Sequence, residues 1–200
     1  MRIGILGAGN IGSTLGKKWA ASGHRVMFGV RAPDSDEVQQ LVQTLGGQAH
    51  AGSVSEAVAF GDVVVIAVPA AAVQQVVHEG RDWVGKLVID ATNRFNPPVP
   101  SLSEELAGWA EGALIVKAFN SAGFEVLENP EFEGQQADTF ICGDDANSKE
   151  IVTKLAQELG MGVIDAGELS SAPMLDSLCK LWIELSKTIG RDHAFKMLTR

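Results

Sequence analysis

A chain of 200 residues, 46% of them hydrophobic, suffices for one full α/β domain and leaves no room for a second of comparable size. Its net charge of −9, without a lysine or arginine block, argues against a nucleic-acid partner, so any anion site must be local. Cys142 and Cys179 stand far apart without ligand spacing, which removes disulfide and metal readings and leaves both as expected buried apolar residues.

The first strand is the apolar run Ile3 to Leu6. It leads into Gly7-Ala8-Gly9-Asn10-Ile11-Gly12 and then a helical stretch ending near Gly23. In a GxGxxG pattern the first glycine allows the tight turn, the second lets the backbone approach a pyrophosphate, and the third lets helix and strand pack closely. The helix N-terminus then offers free N–H groups and a positive dipole end to the phosphates. A strand before, a helix after and a second strand at Arg25 to Gly29 complete the context for a dinucleotide site. A ribose-binding Asp or Glu is expected about twenty residues on from the fingerprint. Gly29 and Val30 stand there instead, followed by Arg31, whose forked donors suit a 2′-phosphate. The expectation is NADP rather than NAD, tempered by Asp34 and Asp36 in the following loop.

Further along, Val38 to Leu45 reads as a helix ended by Gly46-Gly47, Gln48 to Ala51 as a short strand, and Ser53 to Phe60 as a helix capped by Ser53 or Ser55. Asp62 to Pro69 is nearly all β-branched, as a parallel strand covered on both faces should be. In a 3-2-1-4-5 order it lies beside the first strand, so Val68, Pro69 and Ala70 face the cofactor or simply turn into the next helix, Ala71 to Glu79. Strand Leu87 to Asp90 releases Thr92, Asn93, Arg94 and Phe95 towards the same crevice, followed by a stiff Asn96-Pro97-Pro98 connector.

Ser101 to Ala110 is a helix without a completed capping box around Ser103 and Glu105. Ala113 to Asn120 is the sixth strand. Lys117 inside it is costly unless it reaches solvent or a phosphate, and snorkelling to the sheet edge is the simplest outcome. Asn120 at its end offers a donor and an acceptor for a carboxamide. Asp138 to Cys142, a helix Ser148 to Leu159 and a short strand Gly162 to Asp165 complete the sheet. Ser171 to Ile189 then forms a long apolar helix suited either to packing within the domain or to a homodimer contact, and His193 to Leu198 adds a last turn or two. The alternation predicts a Rossmann-type, doubly wound, mostly parallel α/β sheet over residues 1–200, with 170–200 as a C-terminal helical extension. No leading signal region and no apolar run near about 18 residues set the expectation of a soluble, cytoplasmic protein with no membrane partner.

Acid–base chemistry is scarce. His24, His50, His78 and His193 are scattered without nucleophile or paired carboxylate, and the chain has no Tyr. Lys117 and Thr92 are the remaining proton donors for a carbonyl acceptor, and no catalytic residue is assigned. The shortage points to an acceptor whose own ring carries the reaction, such as a flavin-like heterocycle.

These residues resemble the NADP oxidoreductases dependent on the deazaflavin coenzyme F(420), a family to which cytoplasmic domains of membrane ferric reductases are also similar. The resemblance rests on Gly7 to Gly12, Val68-Pro69, Val116-Lys117-Ala118-Phe119-Asn120, Cys142-Gly143-Asp144-Asp145 and Ile164-Asp165-Ala166-Gly167-Glu168-Leu169. It implies hydride transfer between NADPH and a deazaflavin, with Ala8 to Ile11 under the pyrophosphate and Val30-Arg31 at the 2′-phosphate. Val68 to Ala70 and Ala118 to Asn120 would hold the nicotinamide. Departures are Val30 and Ser35, where relatives carry phosphate-binding side chains, and Ala70 and Asn120, where bulkier or basic groups occur. Alternative expectations are reduction of another small acceptor or of ferric chelates, and a non-catalytic NADP-responsive binding protein.

Overall fold

The computed structural model describes residues 1–94 and 101–200. The connector from 95 to 100, with Phe95 and Pro97-Pro98, lies outside the described residues. The alternating apolar runs form strands β1 (Arg2–Leu6), β2 (Arg25–Gly29), β3 (Ala49–Gly52), β4 (Val63–Ile66), β5 (Leu87–Asp90) and β6 (Leu114–Lys117). Between them run helices α1 (Asn10–Ala21), α2 (Asp36–Thr44), α3 (Val54–Phe60), α4 (Val73–Gly80) and α5 (Leu102–Trp109). After β6 come α6 (Phe124–Glu128), a hairpin of β7 (Glu131–Phe132) and β8 (Gln135–Gln136), then β9 (Asp138–Gly143), α7 (Ala146–Glu158), β10 (Gly162–Asp165) and α8 (Ala172–Ile189).

The large sheet has the order β10-β9-β6-β5-β4-β1-β2-β3. Strands β1 to β6 pair in parallel, whereas β9 runs antiparallel to β6 and carries β10 parallel to itself. This is the Rossmann-like α/β fold expected, with chain order reversing between β1 and β4. The hairpin and α6 were not legible from the apolar pattern, because each is too short to show a period.

Both sheet faces are covered, which explains the unbroken apolar strands. Val63 and Val65 of β4 join Trp19, Phe28 and Ile89 beneath α1 and α7. Val64 and Ile66 join Val58, Val77 and Leu106 beneath α3, α4 and α5. Full burial of each such side chain contributes about 1.5–3 kcal/mol. Trp19 pins the first layer: its indole N–H donates to the Leu155 carbonyl of α7 at 3.0 Å, and its ring meets Phe119 edge-on at 5.7 Å.

Several expectations are corrected. A capping box does close α5, from Ser101 to Glu104 rather than around Ser103, and a second one closes α3 from Ser53. The segment from His193 to Leu198 is not helical. Its backbone is drawn off by tertiary bonds instead. The His193 carbonyl accepts from the Trp182 indole at 2.8 Å, and the Asp138 carboxylate accepts from the Met197 N–H and the Lys196 ammonium. Strand β6 ends at Lys117, because Phe119 adopts a left-handed backbone (φ 58°) that turns the chain. The outer face of α8 leaves Met174, Leu181 and Ile189 exposed.

Close contact between β1 and α3 depends on Gly4, where a Cβ would be driven into the Ala57 carbonyl oxygen. Gly4→Ala is therefore expected to destabilise the fold by about 3 kcal/mol. Gly47→Ala, in a turn where a Cβ meets nothing, stays within about 0.5 kcal/mol. Urea midpoints of the two variants check this.

Candidate functional site

The turn from β1 into α1 separates the three glycines by what each is for. Gly7 has φ 106°, and a Cβ there would strike the Ala67 carbonyl. One on Gly12 would strike the Gly7 carbonyl. Those two glycines are demanded by the fold itself. Gly9 is not: its backbone is extended, and a Cβ would meet no atom of the described residues within 4 Å. It stands as the N-cap of α1 with no capping side chain, and the first turn holds no acid. The Asn10, Ile11 and Gly12 N–H groups precede the first helical bond, which runs from Ser13 N–H to the Gly9 carbonyl at 2.8 Å. A bare, uncapped helix start with open space over a glycine fits the close approach of a pyrophosphate.

An open cavity of about 490 Å³ extends from this point between α1 and α2, lined by Ala8, Gly9, Asn10, Lys17, Glu37 and Leu41 among others. Val30, half-buried against the core, donates its N–H to the Gly52 carbonyl at 3.0 Å. Arg31 is exposed and, among the described residues, makes no side-chain hydrogen bond or ion pair. Asp34 is likewise exposed, and Asp36 sits in the first turn of α2.

On the other side of α1 a smaller recess of about 230 Å³ brings together Asn10, Ile11, Asn93 and Asn120. Asn10 thus borders both cavities. The two remaining asparagines hold each other: Asn93 Nδ2 donates to the Asn120 carbonyl at 3.0 Å, and Asn120 Nδ2 donates to Asn93 Oδ1 at 2.9 Å and to the Leu175 carbonyl at 3.0 Å. Those bonds use the side-chain donors of Asn120 and leave its Oδ1 without a partner among the described residues. Val68, Pro69 and Ala70 follow β4 into a 3₁₀ turn over Ala70–Ala72 and do not line this recess. Ala118 is wholly buried in the core and does not reach it either.

The structure adds wall residues that the sequence reading passed over. Cys179, Trp182 and Ile183 of α8 line the recess, with Phe124 and Arg191, beside Phe119 from the expected Ala118 to Asn120 segment. Trp182 is stacked on His193 at 4.9 Å on one side and met by the Arg191 guanidinium at 5.0 Å. Arg191 in turn grips Glu125, whose carboxyl is held below the usual carboxylate range by that bond. Burial pushes the Cys179 thiol up to about 11 and that of Cys142 to about 12, so neither is a thiolate at neutral pH. The apolar stripe of α8 signalled its buried face; what that face meets could not be read from spacing.

Lys117 does not snorkel. It is completely buried, with Nζ 3.0 Å from Asp176 of α8, 3.4 Å from Asp90 and 2.9 Å from the Thr92 carbonyl. Thr92 is turned inward, donating both N–H and O–H to Asp90 Oδ1, while Ser103 donates to Oδ2. Burial opposes the charge on Lys117, but the two carboxylates outweigh it and raise its pKa. For Asp176 burial prevails over Lys117 and holds the carboxyl above its ordinary range. Lys117 and Thr92 are therefore occupied groups behind the recess, and Arg94 is paired with Glu105 at 2.7 Å.

Residues 2–94 match the family described as NADP oxidoreductase, coenzyme F(420)-dependent. A solved structure from Arthrobacter sp. FB24, proposed to be an F(420)-dependent NADP-reductase, is similar over 98% of this chain and 99% of its own, with a TM-score of 0.88 and 25% identity. A reductive aminase from Aspergillus terreus, solved with NADPH4, cyclohexanone and allyl amine, shares the fold at a TM-score of 0.72 and 21% identity, over 94% of this chain and 62% of its own. Metalloreductase STEAP3 of Rattus norvegicus is 26% identical over 181 residues, covering 88% of this chain. The chain spans only 36% of that curated relative's length. Among the described residues no helix is long and apolar enough to cross a membrane, and no group of three or more His, Cys, Asp and Glu side chains stands together to hold a metal.

Because Gly9 is free of packing demands, Gly9→Ala is expected to change stability by no more than about 0.5 kcal/mol. The same substitution is expected to weaken pyridine-dinucleotide binding about tenfold or more, since a methyl group would occupy the approach to the α1 N-terminus. Thermal unfolding together with calorimetric titration distinguishes the two effects.

Proposed function

We propose that this chain, whose residues 2–94 belong to the NADP oxidoreductase, coenzyme F(420)-dependent family, binds NADP(H) across the β1/β4 switch point and exchanges hydride with a deazaflavin or flavin-like ring. The observation that carries the reading is the make-up of the recess. Among its described lining residues only Cys179 and Arg191 titrate, one a thiol pushed up to about 11 and the other engaged with Glu125. Such a wall orients a ring and excludes water, and it offers no poised general acid for a carbonyl. When bound, the nicotinamide supplies the hydride chemistry.

The chain's own part is placement. The α1 N-terminus and Gly9 take the pyrophosphate, and Arg31, unpaired among the described residues, takes the 2′-phosphate as a charge-assisted fork. Asn10, Asn93 and Asn120 border the nicotinamide, with Asn120 Oδ1 as the acceptor for its carboxamide. The recess is smaller than the roughly 300–1,000 Å³ of drug-sized sites, so it takes one ring and leaves the partner ring to stack from the open side. A second reading, NADPH oxidation by a flavin that passes electrons to a metal chelate, is favoured by the similarity to the metalloreductase.

One anaerobic assay tests these points. Wild type is expected to oxidise NADPH with the deazaflavin coenzyme, faster than with free flavin and faster than NADH. Arg31→Ala should weaken NADPH about tenfold or more while leaving NADH nearly unchanged, as expected for loss of a charge-assisted bond of about 1.5–3 kcal/mol. Equal losses for both nucleotides would refute the phosphate role. Turnover with flavin plus ferric chelate alone would favour the second reading.

A further inference from the structure

Three side chains from separate elements meet behind the recess: Asp90 at the end of β5, Lys117 at the end of β6 and Asp176 of α8, each at most 3% exposed. One ammonium serves two carboxylates. Asp90 is further satisfied by Thr92 and Ser103, whereas among the described residues Asp176 finds, beyond Lys117, only the Arg94 backbone N–H. Among the described residues the other nearby cation, Arg94, is committed to Glu105. With all three groups ionised the cluster carries one uncompensated negative charge. It lies close behind the recess wall: Ala91 and Asn93 follow Asp90, Asn120 follows Lys117, and Cys179 stands one turn beyond Asp176, all four lining the cavity.

Resting on the NADP(H) reading above, we propose that Asp176 is a positioning residue for charge: as the second carboxylate on one ammonium it leaves the trio net negative, which biases the bound nucleotide towards its oxidised form and so favours hydride donation from NADPH. When the C4–H bond breaks and both electrons pass with the hydrogen to the deazaflavin or flavin acceptor, the nicotinamide ring goes from neutral to cationic. A fixed negative charge in a dry site stabilises that cation and leaves the neutral ring nearly unaffected. A latch that only held α8 in place would alter both affinities alike. Burial also holds the Asp176 carboxyl above its ordinary range, so the bias is lost as pH falls through that raised value. Among the described residues the charged and titratable groups that act on it are Asp90 from β5, Lys117 from β6, Arg94 from the loop after β5 and Cys179 on its own helix.

The test compares dissociation constants of NADP+ and NADPH for wild type and the isosteric Asp176→Asn at pH 7.5. NADP+ is expected to weaken relative to NADPH by about tenfold, the size of effect for one charge at short range in a protein interior. An unchanged ratio with both nucleotides still bound overturns the proposal and leaves the NADP(H) reading standing. Failure of wild type to bind either nucleotide overturns both. Should circular dichroism show Asp176→Asn unfolded, the wild-type ratio is followed from pH 8 to pH 5, where the shared 2′-phosphate titration cancels. A falling preference for NADP+ supports the proposal, and a flat ratio overturns it.

Discussion

The burial of Lys117 between Asp90 and Asp176 is the constraint on which the rest of the site depends. Removing one partner of a buried ion pair typically costs about 3–5 kcal/mol, because the other charge is stranded. A well-packed apolar trio would satisfy the same space without that exposure to failure. What the charged trio adds is position: it ties the ends of β5 and β6 to α8 through Asp176. The Leu175 carbonyl then reaches Asn120, and Cys179, Trp182 and Ile183 become the recess wall. Downstream of α8, His193 stacks on Trp182 and Arg191 lies over its ring, and Arg191 connects it to Glu125 of α6.

The phosphate cradle and the recess are linked through the start of α1. Gly7 and Gly12 bring α1 tight against β1, and this places Asn10 on the boundary between the two cavities. Phe119 bends the chain out of β6 in a conformation unusual for a bulky residue, and its ring is held against Trp19 while its N–H donates to Thr139. Strain of this kind costs on the order of 1–3 kcal/mol and clusters at functional sites. Here its effect is to present Asn120 and Ala122 to the recess rather than continuing the strand.

Much of the fold was legible in the sequence because it is written in local terms. The β-branched run at Val63 to Ile66, the glycines from Gly7 to Gly12 and the apolar stripe of α8 each carry their own period or turn chemistry. What was missed depended on distant partners. Lys117 looked like a charge in search of solvent because nothing nearby in sequence could answer it; Asp176, on the inner face of an apolar helix, was the matching signal. The tail from His193 to Leu198 was expected to add a helical turn, yet Asp138 and Trp182 bind its backbone and it forms no helix. Recess walls such as Trp182 and Arg191 are assembled from the C-terminal segment and carry no motif, whereas the Asn93 and Asn120 positions followed from the rule that ligands sit beyond the carboxyl ends of parallel strands.

The most direct test of this account is a crystal structure with NADP+ bound. The pyrophosphate is expected over Gly9 and the α1 N–H groups, the 2′-phosphate at Arg31, and the nicotinamide in the recess with its carboxamide N–H on Asn120 Oδ1. A nucleotide seated elsewhere, or one bound at Gly9 with its nicotinamide outside the recess walled by Trp182, would contradict it.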